Sequence, residues 1–116
     1  YQSYDVLTAM MTDAGIRLDS LKVDGGACSN DFLMQFQADM LGVTVERPAM
    51  IESTALGAAF LAGLATGFWS GLDELQQTRK VDRFFHPRME AAQRQTMLDG
   101  WQRAVACALT SKGKTE

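Results

Sequence analysis

The sequence is poor in the residues on which metal and nucleophile chemistry depend. It holds one histidine, His86, among 116 residues. A His cluster for zinc cannot be assembled from it. Its two cysteines, Cys28 and Cys107, stand far apart with no CxxC spacing. That gives no support to a disulfide or metal site and reads as two reduced, partly buried thiols of a cytoplasmic protein. Cys28 is the one candidate nucleophile, and it has no base beside it. Excess positive charge is also absent: 11 Lys and Arg against 14 Asp and Glu leave a net charge of -3, which argues against a nucleic-acid partner. Arg79, Lys80, Arg83 and Arg88 come nearest to a basic cluster, but Asp82 and Glu90 dilute it into a solvated face. No signal peptide is visible. The chain opens without Met, inside a helical pattern, and is expected to be excised from something longer.

What is present is enough apolar material for a core: 47% hydrophobic residues beside 22% charged. Tyr4, Leu7, Met10 and Met11 recur at helical spacing and predict a helix from Ser3 to Ala14, closed by Gly15. Leu21 and Val23 alternate with Lys22 in a short strand that ends in the turn Asp24-Gly25-Gly26. From Asn30 a second helix carries Phe32, Leu33, Phe36 and Met40 on one side and stops at Gly42. A second strand, Val43 to Glu46, halts at Pro48. This strand–helix–strand order predicts two parallel strands joined by a right-handed crossover.

Ser53 to Leu72 is a run of 20 residues without a charge. Its Ala and Gly content, its hydroxyls and the lack of flanking basic residues predict a buried helix of a soluble protein rather than a membrane span. Gly57, Gly63 and Gly67 would let that helix lie close to a sheet or another helix. Leu72 to Leu75 reads as a helical turn, Val81 to Phe85 as an extended stretch, and Glu90 to Leu109 as a last helix with Met97, Leu98, Trp101 and Val105 on its apolar side.

The sharpest local feature is Val23-Asp24-Gly25-Gly26-Ala27, between a strand and a helix. Glycines there admit special backbone angles and let a ligand approach the main chain. The helix start beyond them offers unpaired N–H groups and partial positive charge. A tight turn alone explains the same residues, and the pattern is neither a GxGxxG fingerprint nor a Walker A loop. Asn30 is open to two readings, a helix cap or a contact to a base or ribose lying on the turn. Asp24, Asp31, Asp39, Glu46 and Glu52 are candidate acids, bases or magnesium ligands, yet no pair of them has a spacing that demands a shared task. Asp31 is more simply a partner of the helix dipole.

The run from Leu21 to Asp39, with Val45-Glu46-Arg47-Pro48, Thr54-Ala55-Leu56-Gly57-Ala58-Ala59, Leu61-Ala62-Gly63-Leu64 and Gly67-Phe68-Trp69, resembles the bacterial glycerol kinases of the FGGY carbohydrate kinase family. Cys28 is a departure, standing where another small residue is expected. The resemblance implies an α/β fold: part of an actin-like, ribonuclease H-like ATPase lobe, with residues 1–116 forming the C-terminal part of its ATP-binding domain and 110–116 a frayed tail. It implies that Gly26 and Asn30 contact the adenine nucleotide of ATP or ADP, with Gly25 and Ala27 shaping the turn. It assigns no catalytic residue here: the base, the glycerol site and the magnesium site are expected in upstream sequence, and the segment alone is expected to be inactive. It further implies homo-oligomeric assembly of the full-length enzyme, with a regulatory protein as a possible partner at the C-terminal region around Phe84, Phe85 and Pro87. Another FGGY sugar kinase is the alternative. Antiparallel strands completing the sheet are expected from upstream sequence. Isolated, the segment would expose the Leu21–Val23 edge and an apolar surface, and is expected to self-associate.

Overall fold

The computed structural model describes residues 1–78 and 80–110. The chain runs α1 (Gln2–Ala14), β1 (Ser20–Lys22), a 3-10 turn (Gly26–Ser29), α2 (Asp31–Leu41), β2 (Thr44–Pro48), α3 (Ser53–Thr66), α4 (Leu72–Thr78), β3 (Val81–Phe85) and α5 (Ala91–Thr110). The expected elements are all present, most within a few residues of their predicted bounds, but the helix expected over Ser53 to Leu72 stops at Thr66. All of the expected tail except Thr110 lies outside the described residues.

The three strands form one sheet in the order β1-β2-β3. β1 and β2 are parallel, with Leu21 opposite Val45, and the β1–α2–β2 unit is the expected one. β3 lies antiparallel to β2, with Phe85 opposite Val45. This corrects one expectation, because the chain supplies an antiparallel strand of its own. The β2–β3 register breaks between Arg47 and Pro48, where proline has no N–H to give to the ladder.

Period-2 alternation on β2 and the apolar side of α2 meet to make the core. Val45 and Ala38 are fully buried, with Cys28, Met34 and Phe85 around them and Leu21, Val23, Leu33 and Ile51 at the margin. Asp39, also buried, accepts the backbone N–H groups of Arg88 (2.6 Å) and Met89 (3.2 Å) and so ties the β3–α5 connection to α2. Tyr1 stands edge-on to Phe36 and stacks on Trp101, whose indole N–H donates to Asp5 at 2.6 Å. These contacts join α1, α2 and α5.

α3 departs from expectation. It ends at Thr66, where Gly67 adopts φ 75°, and its only buried residue is Gly63, whereas a buried helix was expected. A helix apolar on every side normally lies inside a protein, yet Leu61 is 71% exposed here and Phe68, just beyond, 75%. Gly63 serves a local contact instead: a Cβ there would fall 2.0 Å from the Trp69 ring, so the ring sits directly on the helix backbone. With α3 and α4 reaching away from the sheet, the radius of gyration is 18.8 Å, against about 13 Å for a compact domain of this length.

Two open sheet edges and the bare apolar helix lead to a definite expectation for the chain by itself. It should sediment as concentration-dependent oligomers; a single monomeric species across micromolar concentrations, melting cooperatively, would contradict this.

Candidate functional site

The turn between β1 and α2 is built from a few local rules. Gly25 adopts φ 81°, ψ 169°, a region essentially closed to residues with a Cβ. Its N–H donates to the Ile51 carbonyl at 2.9 Å and its carbonyl accepts from the Cys28 N–H at 3.0 Å. Gly26 opens the 3-10 turn, and its backbone has no positive φ. A Cβ placed on Gly26 would meet no protein atom within 4 Å. Nothing in the chain therefore requires glycine at 26, whereas the backbone itself requires it at 25.

Asn30 caps α2. Its Oδ1 accepts from the Leu33 N–H at 3.0 Å, so the simpler of the two readings of this residue is present in the structure. That geometry leaves the Nδ2 amino group turned to other uses. Gly26, Ala27 and Asn30 are all exposed and Gly25 half-buried. The fold thus brings the four predicted residues together on one open surface.

Two clefts come close to this surface, both lined in part by Val23 and Asp24. One, of about 780 Å³, runs between the sheet and α3–α4, bounded by Lys22, Pro48, Leu56, Phe60 and Leu75. The other, of about 550 Å³, lies between α1 and α2 and reaches Ala27 and Cys28. Neither includes Gly25, Gly26 or Asn30. What the chain presents at these residues is an open surface and not an enclosed cleft.

The remaining candidates disperse. Cys28 is buried and its thiol donates to the Asp24 carbonyl at 2.7 Å; burial, then the nearby Asp24 charge, push its pKa up, so it is held as a neutral thiol and not as a nucleophile. Cys107, expected to be partly buried, is exposed on α5. Asp39 holds the β3–α5 connection, Glu46 accepts from the Ser20 hydroxyl at 2.7 Å, and Glu52 precedes α3 without capping it. No three His, Cys, Asp or Glu among the described residues converge on a point that would hold a metal ion.

The sequence reading did not single out Arg47. Its side chain is only 13% exposed. Nη1 donates to Asp31 Oδ1 (2.7 Å) and to the Cys28 carbonyl (3.0 Å), while Nε donates to Asp82 Oδ2 (2.8 Å). Arg83 adds a second bond to Asp31 at 2.6 Å, and both guanidinium groups lie over the Phe85 ring. The hydrogen bond from Arg47 is the main cause holding the Asp31 carboxyl below its usual range. An arginine in the middle of a half-buried strand was the signal available in the sequence.

These features, a glycine turn between a parallel strand and a capped helix on a mixed sheet, define an α/β lobe with an exposed strand–helix turn. The chain belongs to the FGGY family of carbohydrate kinases: residues 1–66 match the family's C-terminal domain. Within that family its relatives include the glycerol kinase of Pseudomonas savastanoi pv. phaseolicola, 63% identical over 106 residues that make up 91% of this chain and 21% of the relative. The crystal structure of Plasmodium falciparum glycerol kinase with ADP superposes with a TM-score of 0.78 at 34% identity, over 90% of this chain and 21% of that one. Ligand-bound xylulose kinase from Lactobacillus acidophilus gives 0.69 at 28% identity, over 83% and 20%. The fold is thus similar to the C-terminal domain of glycerol and sugar kinases, the actin-like ATPase fold. The chain spans about a fifth of the length of the curated relatives it matches. No helix among the described residues is long and apolar enough to cross a membrane.

Two outcomes follow from this geometry. Gly25→Ala should destabilise the protein by about 1–3 kcal/mol through backbone strain, and Gly26→Ala by much less, both measured by urea unfolding. Asp31 has a lowered folded pKa, so its stabilisation is present above the ordinary Asp value near 4 and is lost as pH falls through the lower one. The stability difference between the protein and Asp31→Asn should accordingly stay constant from about pH 7 to 5 and shrink only in more acid solution.

Proposed function

We propose that this chain is the C-terminal part of the ATP-binding domain of a glycerol kinase, which transfers the γ-phosphate of ATP to glycerol to give glycerol 3-phosphate. In this reading Gly26 and Asn30 touch the adenine nucleotide, and Gly25 and Ala27 hold the turn that presents them. The observation that carries it is Gly26: its backbone needs no glycine and its Cβ direction is open, which leaves close approach of a ligand as the reason for the residue. The likeness to a glycerol kinase crystallised with ADP supports the choice of ligand.

The chain's part in phosphoryl transfer is positioning. A nucleotide resting on an exposed wall is oriented by main-chain and amide contacts, while transfer needs groups that stabilise charge on the moving phosphoryl. Those groups, with the magnesium ion and the glycerol site, belong in this reading to the rest of a longer, cytoplasmic enzyme, and the chain alone is inactive. A regulatory contact at the C-terminal segment has available Phe84, which is half-exposed and stacks on His86, and the exposed Leu109 of α5; the full-length enzyme is read as a homo-oligomer. Phe85 is corrected as a surface candidate, because it lies in the core at 2% exposure.

In the full-length enzyme, steady-state kinetics should show phosphorylation of glycerol in preference to pentoses. Gly26→Val should raise KM for ATP by about tenfold or more, the effect of about 1.4 kcal/mol of lost binding, with KM for glycerol unchanged. Asn30→Ser keeps a capping oxygen while removing the amide. It should raise KM for ATP by about threefold to tenfold at nearly constant Tm. Unchanged KM for ATP in both variants would overturn the assignment of this turn as the nucleotide site.

A further inference from the structure

Arg47 holds the two chain segments that flank Asn30. The carbonyl of Cys28 lies two residues before it and the carboxylate of Asp31 one residue after it, and a single nitrogen, Nη1, donates to both, at 3.0 and 2.7 Å. The rest of the guanidinium is fixed from the far side by Asp82, which Nε and Nη2 both reach at 2.8 Å. Cation–π contact with Phe85 at 5.2 Å seats the group over the core. The arrangement spans the turn, the first residue of α2, the central strand and the edge strand β3.

Ion pairing accounts for part of this cluster. Asp31, Asp82 and Arg83 have side chains about half-exposed, where single pairs contribute little. Arg47, however, is 13% exposed and joins them in a network with a two-nitrogen pair to Asp82, where pairing contributes more. The contact that ion pairing does not explain is the one to the Cys28 carbonyl. It locks the 3-10 turn to the start of α2, and with it the relative placing of the Gly26 main chain and the Asn30 amide. Only a planar fork donates in several fixed directions at once; a lysine ammonium cannot keep both ends.

We infer that Arg47 is a positioning residue of the nucleotide site, acting through the turn to hold Gly26 and Asn30 in the mutual geometry that a nucleotide meets. This rests on the reading of the turn given under Proposed function. Arg47 touches no substrate in this role, and Asp31 and Asp82 serve it by orienting the guanidinium.

The test is steady-state kinetics of the full-length enzyme carrying Arg47→Lys, beside Asn30→Ser and the unaltered protein, with Tm recorded for each. Arg47→Lys should raise KM for ATP by about threefold to tenfold, the size of one misdirected hydrogen bond, while leaving KM for glycerol unchanged. A merely structural arginine would instead lower Tm and kcat with KM for ATP constant, and that result would overturn the inference. Asp31→Asn, which removes the charge that pairs with the same nitrogen, provides a second variant should Arg47→Lys fold poorly, and should move KM for ATP in the same direction. If Asn30→Ser raises KM for ATP while neither Arg47→Lys nor Asp31→Asn does, the positioning role falls and the nucleotide site stands. If Asn30→Ser leaves KM for ATP unchanged, the site reading falls, and this inference with it.

Discussion

The structure depends on the packing of α2 across the Val45–Phe85 pair. Val45 sits at the centre of the only sheet among the described residues, with Leu21 beside it on β1 and Phe85 opposite it on β3. Ala38 and Met34 close over it from α2, and Ala38 has no exposed surface at all. A larger residue at 38 would push the helix off the strand, and interiors packed at crystal density accommodate such a change poorly. Because α2 is fixed there, its first turn is fixed too, and with it the Gly25–Asn30 segment. Geometry at the exposed turn is inherited from a contact in the core several residues away.

That dependence explains the division of labour around the turn. The Gly25 N–H anchors one end to Ile51, the Cys28 thiol plugs into the core beneath it, and Arg47 fastens the other end to β2. Each anchor uses a different interaction. Main-chain hydrogen bonding, burial and charge together leave the outward side of the turn free of the chain's own demands. The turn is thus an exposed surface held from three directions.

Much of this was legible in the sequence. The strand–turn–helix–strand order followed from alternation at Leu21 and Val23, helical spacing from Phe32 to Met40, and glycines at the boundaries. The four turn residues came together because they lie within six consecutive positions, 25 to 30. Arg47 was missed because its partners, Asp31 and Asp82, lie 16 and 35 residues away, and no local pattern reports such distant pairing. The place of β3 was missed for the same reason: an extended stretch is visible locally, but its partner strand is set by how the α3–α4 excursion returns. α3 was read as buried because its composition demands cover. The composition describes what the helix needs, and this chain alone does not supply it.

The ring of Trp69 against the Gly63 backbone gives the molecule a built-in optical reporter. The two indoles live in different places. Trp101 is hydrogen-bonded to Asp5 and stacked on Tyr1, so its emission follows the junction of α1 and α5. Trp69 rests on α3 between Phe60 and Phe68, so its emission follows whatever comes to shield that helix from water. One fluorescence spectrum thus carries two separable signals, one for the integrity of the helical junction and one for the docking of α3 against its surroundings.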